Sequence, residues 1–175
     1  MPEALAEVSP PARFTLRRLL DVIDWAVAKL VIASMTVMLV VVAGQVFFRY
    51  ALNLSVDWAE EISRLSFVWS VFLAIPLGVK RGAHVGISLL TDRFPAALQN
   101  KLFRAMNLLA IALMAVVAYE AVVLTIDQWD EPMSTLDTSV GLFMLPLAVG
   151  ATHALLHLVN GVFVGPPVKQ AVVTE

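Results

Sequence analysis

The sequence contains no cysteine and carries little charge. Without cysteine, the chain forms no disulfide, no thiolate metal site and no thiol redox centre. Only 15% of its 175 residues are charged, against about 25% in a typical soluble domain. By contrast, 59% are hydrophobic and the mean hydropathy is +0.83. The net charge of −2, with no basic patch, disfavours a nucleic-acid partner. The composition therefore predicts an integral membrane protein.

Four apolar segments are candidates for membrane-spanning helices, each of which needs about 20 mostly apolar residues. Leu30–Phe48 holds 19 uncharged residues, longer than the roughly 7–15 of a signal-peptide core, so we expect a retained helix. Leu65–Val79 has 15 and spans the membrane only if its helix begins near Trp58; a shallow hairpin is the alternative. The predicted spans cover about 26–48, 58–79, 103–126 and 139–164.

The basic residues predict the orientation of these spans. Ten of the twelve lysines and arginines lie on the side of both termini, and only Arg49 and Arg64 lie on the other. Because cytoplasmic loops are enriched in basic residues, both termini should face the cytoplasm. We expect an all-α integral membrane protein with a domain at 25–164 and cytoplasmic tails at 1–24 and 165–175. Phe14–Trp25 is predicted to be an amphipathic helix on the membrane surface that leads into the first span, and Val85–Leu90 a short apolar segment in the interface.

A charged stretch separates the first two spans: FFRYALNLSVDWAEEISRLSFVW, residues 47–69. Glu60 and Arg64 are four residues apart with the acidic residue first, the favourable order for an ion pair on a helix. Trp58 and Tyr50 are typical interface anchors. These charges are either ordinary interfacial residues or part of a surface used in assembly.

A basic segment, KRGAHVG, follows the second span at residues 80–86. It either fixes the topology as a basic stop, or places Arg81 and His84 against anionic lipid or a partner. It lacks the lysine spacing of a phosphate-binding P-loop.

Polar side chains recur on one face of the fourth span. His153, His157 and Asn160 stand at positions i, i+4 and i+7. Two histidines one turn apart can chelate a metal, but no third ligand or carboxylate stands nearby in the sequence. We therefore predict no metal site and a stripe of helix–helix hydrogen bonds instead. From its depth in the third span, Asn107 should face Asn160 or His157.

Apart from Glu60 and Glu61 in the first turn of the second span, Glu120 is the one carboxylate inside a predicted span. Intramembrane acids are often functional. Glu120 lies near the outer end of its helix, on the side of Arg49 and Arg64, so we expect a structural ion pair with one of them.

The ordered series of polar residues around the first loop resembles the small membrane subunit of tripartite ATP-independent periplasmic (TRAP) transporters. One departure is Ser55, where the family often has proline. The resemblance is densest over residues 45–90 and rests on Arg49, Tyr50, Asn53, Trp58, Glu60, Glu61, Arg64, Arg81 and His84.

The resemblance implies a non-catalytic subunit in the bacterial inner membrane. In this family a periplasmic binding protein delivers an organic anion, such as a carboxylate, to a membrane pair, and the large subunit imports it with a sodium gradient. The small subunit would enlarge the scaffold of the large one, with the residues named above forming a junction with the large subunit or the binding protein. Membrane lipid is a further partner, and no cofactor is implied.

Two other functions stay open at the level of sequence. A stand-alone exporter is disfavoured because no acid lies mid-membrane and no internal repeat is visible. An integral-membrane enzyme is less favoured still, since no nucleophile–base pair stands at a readable spacing.

Overall fold

The computed structural model describes residues 11–80 and 95–164, which form four α-helices. They are α1 (Pro11–Ala51), α2 (Asp57–Lys80), α3 (Ala96–Asp127) and α4 (Gly141–Val164). Each contains a segment long and apolar enough to cross a membrane. The prediction of an all-α membrane protein with four spanning helices is confirmed. In particular, α2 is a full-length helix rather than a shallow hairpin.

The first helix is longer than the bilayer core. Its 41 residues extend about 62 Å, against roughly 30 Å of hydrocarbon. Phe14–Trp25, predicted as a helix that leads into the first span, is continuous with that span, since no proline or glycine interrupts the helix there. The segment Val85–Leu90 lies outside the described residues.

A tight turn joins α1 to α2. Asn53 adopts a left-handed backbone conformation with φ 51°, which asparagine tolerates better than most residues. The amides of Leu52 and Leu54 both donate to the carbonyl of Phe48 and so close the end of α1. The Ser55 hydroxyl then donates to the Asp57 carboxylate at 2.9 Å, at the first residue of α2.

The helices pack in the spatial order α3–α4–α2–α1, because the extensive contacts among the described residues are α3 with α4, α4 with α2, and α2 with α1. This is an open row rather than a closed bundle. In the most apolar part of each helix, 44% of residues are buried in α4 but only 6% in α1. The protein's core therefore lies around α4 and α2, while α1 and α3 each pack against one neighbour and form the two flanks of the row.

Two buried prolines shape the contact between α2 and α4. Pro146 lacks the amide N–H that would bond to the Leu142 carbonyl one turn earlier in α4. Trp69 of α2 supplies the missing donor, with its indole Nε1 donating to the Leu142 oxygen at 3.0 Å. An interhelical hydrogen bond thus replaces an intrahelical one.

Pro76 likewise lacks an amide N–H in α2, so the carbonyl of Phe72 has no hydrogen bond from within its own helix at that position. That carbonyl packs directly against Gly150 of α4, where an added Cβ would collide with it. Glycine at position 150 is therefore required by packing.

Candidate functional site

The first candidate site is the outer junction, which we define as the first turns of α2 together with the loop 128–140. Its centre is Glu61. One carboxylate oxygen accepts from the amide of Ser134 at 2.8 Å and from that of Thr135 at 3.2 Å. The other accepts from the amides of Thr135 and Leu136, both at 3.1 Å, and from the Thr135 hydroxyl. Glu61 thus anchors the loop tip, residues 134–136, to α2.

The loop itself is a short, hydrogen-bonded turn. Pro132 and Ser139 form an isolated antiparallel bridge, and the Met133 amide donates to the Thr138 carbonyl at 2.8 Å. Met133 is buried beneath the loop. Because these bonds bring three successive tip amides together, the tip forms a small nest of donors suited to a carboxylate.

The other charges of the outer junction are exposed. Arg64 pairs with Glu60, the partner its spacing predicted, and both side chains are more than half exposed. Such a surface pair contributes at most about 1 kcal/mol. Arg49, Tyr50 and Trp58 are also exposed. Exposure leaves these side chains available to a partner, and their role in assembly stays a prediction.

The second candidate site is the inner polar cluster, which we define as Asp21, Asp24, Lys80, His153 and His157. Asp24 Oδ1 lies 2.8 Å from His153 Nε2 and 2.7 Å from His157 Nε2. The two Nε2 atoms are 3.1 Å apart. Lys80 Nζ donates to Asp24 Oδ2 at 2.6 Å and to Asp21 Oδ1 at 2.8 Å. The cluster thus joins α1, α2 and α4.

This cluster lies at the far end of the molecule from the outer junction. Lys80 is the last residue of α2, about 34 Å from its start, and His157 lies about 24 Å along α4. Asp24, His153 and His157 are all buried.

The two histidines form the expected polar face, but the expectation that no carboxylate lies near them was wrong. The sequence does not predict the position of Asp24, because 133 positions separate it from His157. The available signal was an acidic pair, Asp21 and Asp24, in an otherwise basic segment.

Two further intramembrane predictions concerned Asn107 and Asn160. The Asn107 side chain reaches α4, but it donates to the backbone carbonyl of Leu158 at 3.4 Å rather than to Asn160 or His157. His157 instead faces Asp24. Within residues 11–80 and 95–164, the Asn160 side chain has no hydrogen-bond partner.

The expected ion pair of Glu120 does not form. Glu120 is exposed, and it has no ion-pair or hydrogen-bond partner in the described part of the chain. The buried face of α3 carries Ala118 and Ala121 instead. Since α4 lies between α3 and the other two helices, Glu120 cannot reach Arg49 or Arg64. The remaining predicted residues, Arg81 and His84, lie outside the described residues.

Comparison with known proteins identifies the family. A family described as "Tripartite ATP-independent periplasmic transporters, DctQ component" matches residues 38–165. The chain belongs to the DctQ family. Members of this family are permease subunits of transporters, so the chain is a multi-pass, non-catalytic membrane subunit rather than an enzyme.

Named relatives of this DctQ protein come from several bacteria. A TRAP transporter small permease protein of Haemophilus influenzae is 32% identical over 80 residues, which cover 46% of this chain and 50% of that one. The sialic acid TRAP transporter small permease protein SiaQ of Vibrio cholerae is 26% identical over 60% of this chain and 61% of its own length. The isethionate TRAP transporter permease protein DctMQ of Oleidesulfovibrio alaskensis is 24% identical over 68% of this chain. That match covers 20% of DctMQ, so the chain spans between a fifth and about three fifths of these relatives.

Proposed function

We propose that this chain is the small membrane subunit of a sodium-coupled, binding-protein-dependent importer of organic anions such as carboxylates. The observation that carries the proposal is the DctQ match over residues 38–165. Relatives named for isethionate and sialic acid, both organic anions, support the cargo class.

The partner in this proposal is a large membrane subunit. In support, this chain matches only a fifth of DctMQ, so a single permease chain holds a DctQ-like part together with a much larger remainder. The open helix row supports the same partner, because the α1 flank is almost entirely unburied in the chain alone. On this basis the row widens the scaffold of the large subunit, with lipid covering the remaining apolar faces.

The proposed location is the bacterial inner membrane, with both termini and the inner polar cluster on the cytoplasmic side. The absence of native cysteine makes this testable with single introduced cysteines. Asp130→Cys stands in the outer loop and Lys101→Cys near the start of α3, and both positions are exposed. A membrane-impermeant maleimide should label position 130 in intact spheroplasts and position 101 only after permeabilisation. The reverse pattern would contradict the orientation.

The proposed role of the outer junction is to hold an exposed surface in place for a partner. Glu61 anchors the loop tip, while Arg49, Tyr50, Asn53 and Trp58 remain exposed beside it. In this proposal the large subunit or the periplasmic binding protein contacts that surface.

Reconstitution tests the function as a whole. Proteoliposomes containing this chain, its large subunit and the loaded binding protein should accumulate a labelled organic anion under an inward sodium gradient. Omission of this chain, the large subunit or sodium should each abolish uptake. Transport by this chain alone would refute the subunit role and favour a stand-alone transporter.

A further inference from the structure

We propose that Asp24, His153 and His157 form a binding site for a divalent late first-row transition metal, with Zn²⁺ as the ion to test first. Neutral imidazole and carboxylate are the usual nitrogen and oxygen ligands of such ions. Here two imidazole Nε2 atoms and one carboxylate oxygen converge, all within 4.8 Å of one another. The side chains come from helices far apart in sequence, so the fold assembles the site.

The spacing of the three atoms suits a single cation. Their separations are 2.7, 2.8 and 3.1 Å. An ion about 2.1 Å from each, the usual Zn–N and Zn–O distance, would sit roughly 1.2 Å out of their plane. The angles at the ion would be about 80–100°, the arrangement of two histidines and one carboxylate on one face of a metal. Spreading the three atoms to about 3.3 Å would give a tetrahedral site.

With Asp24 ionised, as its bond to Lys80 favours, and with both rings neutral, hydrogen bonds alone do not satisfy this triangle. An ionised carboxylate oxygen only accepts, and a neutral imidazole carries one N–H. If both Nε2 atoms are protonated, two N–H groups face each other between His153 and His157. If only one is protonated, a nitrogen lone pair faces the oxygen of Asp24. A cation among the three atoms accepts a lone pair from each and removes both conflicts.

The hydrogen bonding of Asp24 also favours a metal here. Lys80 bonds to the other oxygen of Asp24 at 2.6 Å and so orients Oδ1 toward the histidines. Hydrogen bonds of this kind to a ligating carboxylate are typical around metal sites.

A bound ion would tie the α1 flank to the middle of the row. Asp24 lies on α1 and the histidines lie on α4, and these two helices make little other direct contact. The three ligand side chains are less than a tenth exposed, so the ion would be shielded from bulk water. We expect metal binding to stabilise the position of α1 against the other helices.

The first test measures metal stoichiometry. The full chain, purified in mild detergent through a histidine-free tag, is stripped with a chelator, dialysed against Zn²⁺ and assayed by elemental mass spectrometry. We expect one Zn²⁺ per chain for the wild type and for His84→Ala, the matched control at the third histidine of the sequence. Asp24→Asn and His153→Ala should lose the ion. Equal Zn²⁺ in His153→Ala and wild type, or none in wild type, would overturn the proposal.

A second measurement needs no variant and therefore does not depend on variant folding. X-ray absorption at the zinc edge of the loaded wild-type protein should show two imidazole ligands among nitrogen and oxygen neighbours. A shell of oxygen alone, or with a single imidazole, would mean adventitious binding and would overturn the proposal. Neither measurement depends on transport activity.

Discussion

Replacement of Trp69 by phenylalanine tests how α2 and α4 recognise each other. The change keeps an aromatic ring but removes the indole N–H that donates to the Leu142 carbonyl at 3.0 Å. Pro146 cannot supply a replacement, because it has no amide hydrogen. The carbonyl would then lie at a helix–helix contact without a partner.

The expected loss can be bounded from two sides. A buried polar group left unsatisfied costs about 1–3 kcal/mol. Interhelical hydrogen bonds measured in membrane proteins average about 0.6 kcal/mol and reach about 1.7. We therefore expect Trp69→Phe to lower the free energy of unfolding by about 1–2 kcal/mol. A Pro146→Ala background should reduce this loss by about 1 kcal/mol, because the new amide at position 146 can bond to Leu142.

The assay is unfolding in mixed micelles by sodium dodecyl sulfate, followed by circular dichroism, for all four members of the cycle. Trp58→Phe is the matched control, since Trp58 lies on the same helix, is exposed and makes no indole hydrogen bond within the described residues. It should change stability by less than about 0.5 kcal/mol. Strictly additive losses for Trp69→Phe and Pro146→Ala would refute the inference that the Trp69 indole N–H takes the place of the amide that Pro146 lacks.

Three other changes have defined outcomes. Gly150→Ala should destabilise the chain by about 1–3 kcal/mol in the same assay, because its Cβ would strike the backbone of α2. Gly78→Ala is the control and should not destabilise the chain, because nothing lies within 4 Å of an added Cβ there. Equal effects of the two changes would argue against the close contact of Gly150 with α2. Glu61→Ala should accelerate hydrogen exchange of the loop-tip amides, which donate to its carboxylate, whereas Glu60→Ala should not, because Glu60 bonds to Arg64 instead. Unchanged exchange in Glu61→Ala would mean that other contacts hold the loop tip in place. Asp24→Ala should cost about 1–3 kcal/mol, because the buried histidines lose their acceptor while Lys80 keeps Asp21, and it should expose α1 to limited proteolysis. Wild-type resistance to the protease would show that the inner polar cluster does not fix α1.

Local features of this fold follow from local sequence. The lengths of the apolar segments predicted the four spanning helices, because in lipid a segment must pair its own backbone N–H and C=O groups, as a helix does. Spacing of four residues predicted the pair of Glu60 with Arg64, and the shared face of His153 and His157. Each of these depends on neighbours within one or two helical turns.

The features that were missed depend on which helices are adjacent. Membrane helices are apolar on most sides, so their periodicity does not indicate the order α3–α4–α2–α1. Without that order, the pairing of Asp24 with His157 and the anchoring of the loop tip by Glu61 were not predictable. The same gap produced the wrong pairing for Glu120. A usable signal did exist in Pro76 and Pro146, each of which frees a carbonyl that a neighbouring helix must approach.

Native mass spectrometry of the chain, purified in mild detergent from the cells that express it, tests the central claim most directly. We predict a stoichiometric complex with one much larger, many-span membrane protein, and dissociation of that complex into the two chains at higher activation energy. Recovery of this chain only as a monomer or homodimer, under conditions that preserve other membrane complexes of the same cells, would contradict the account.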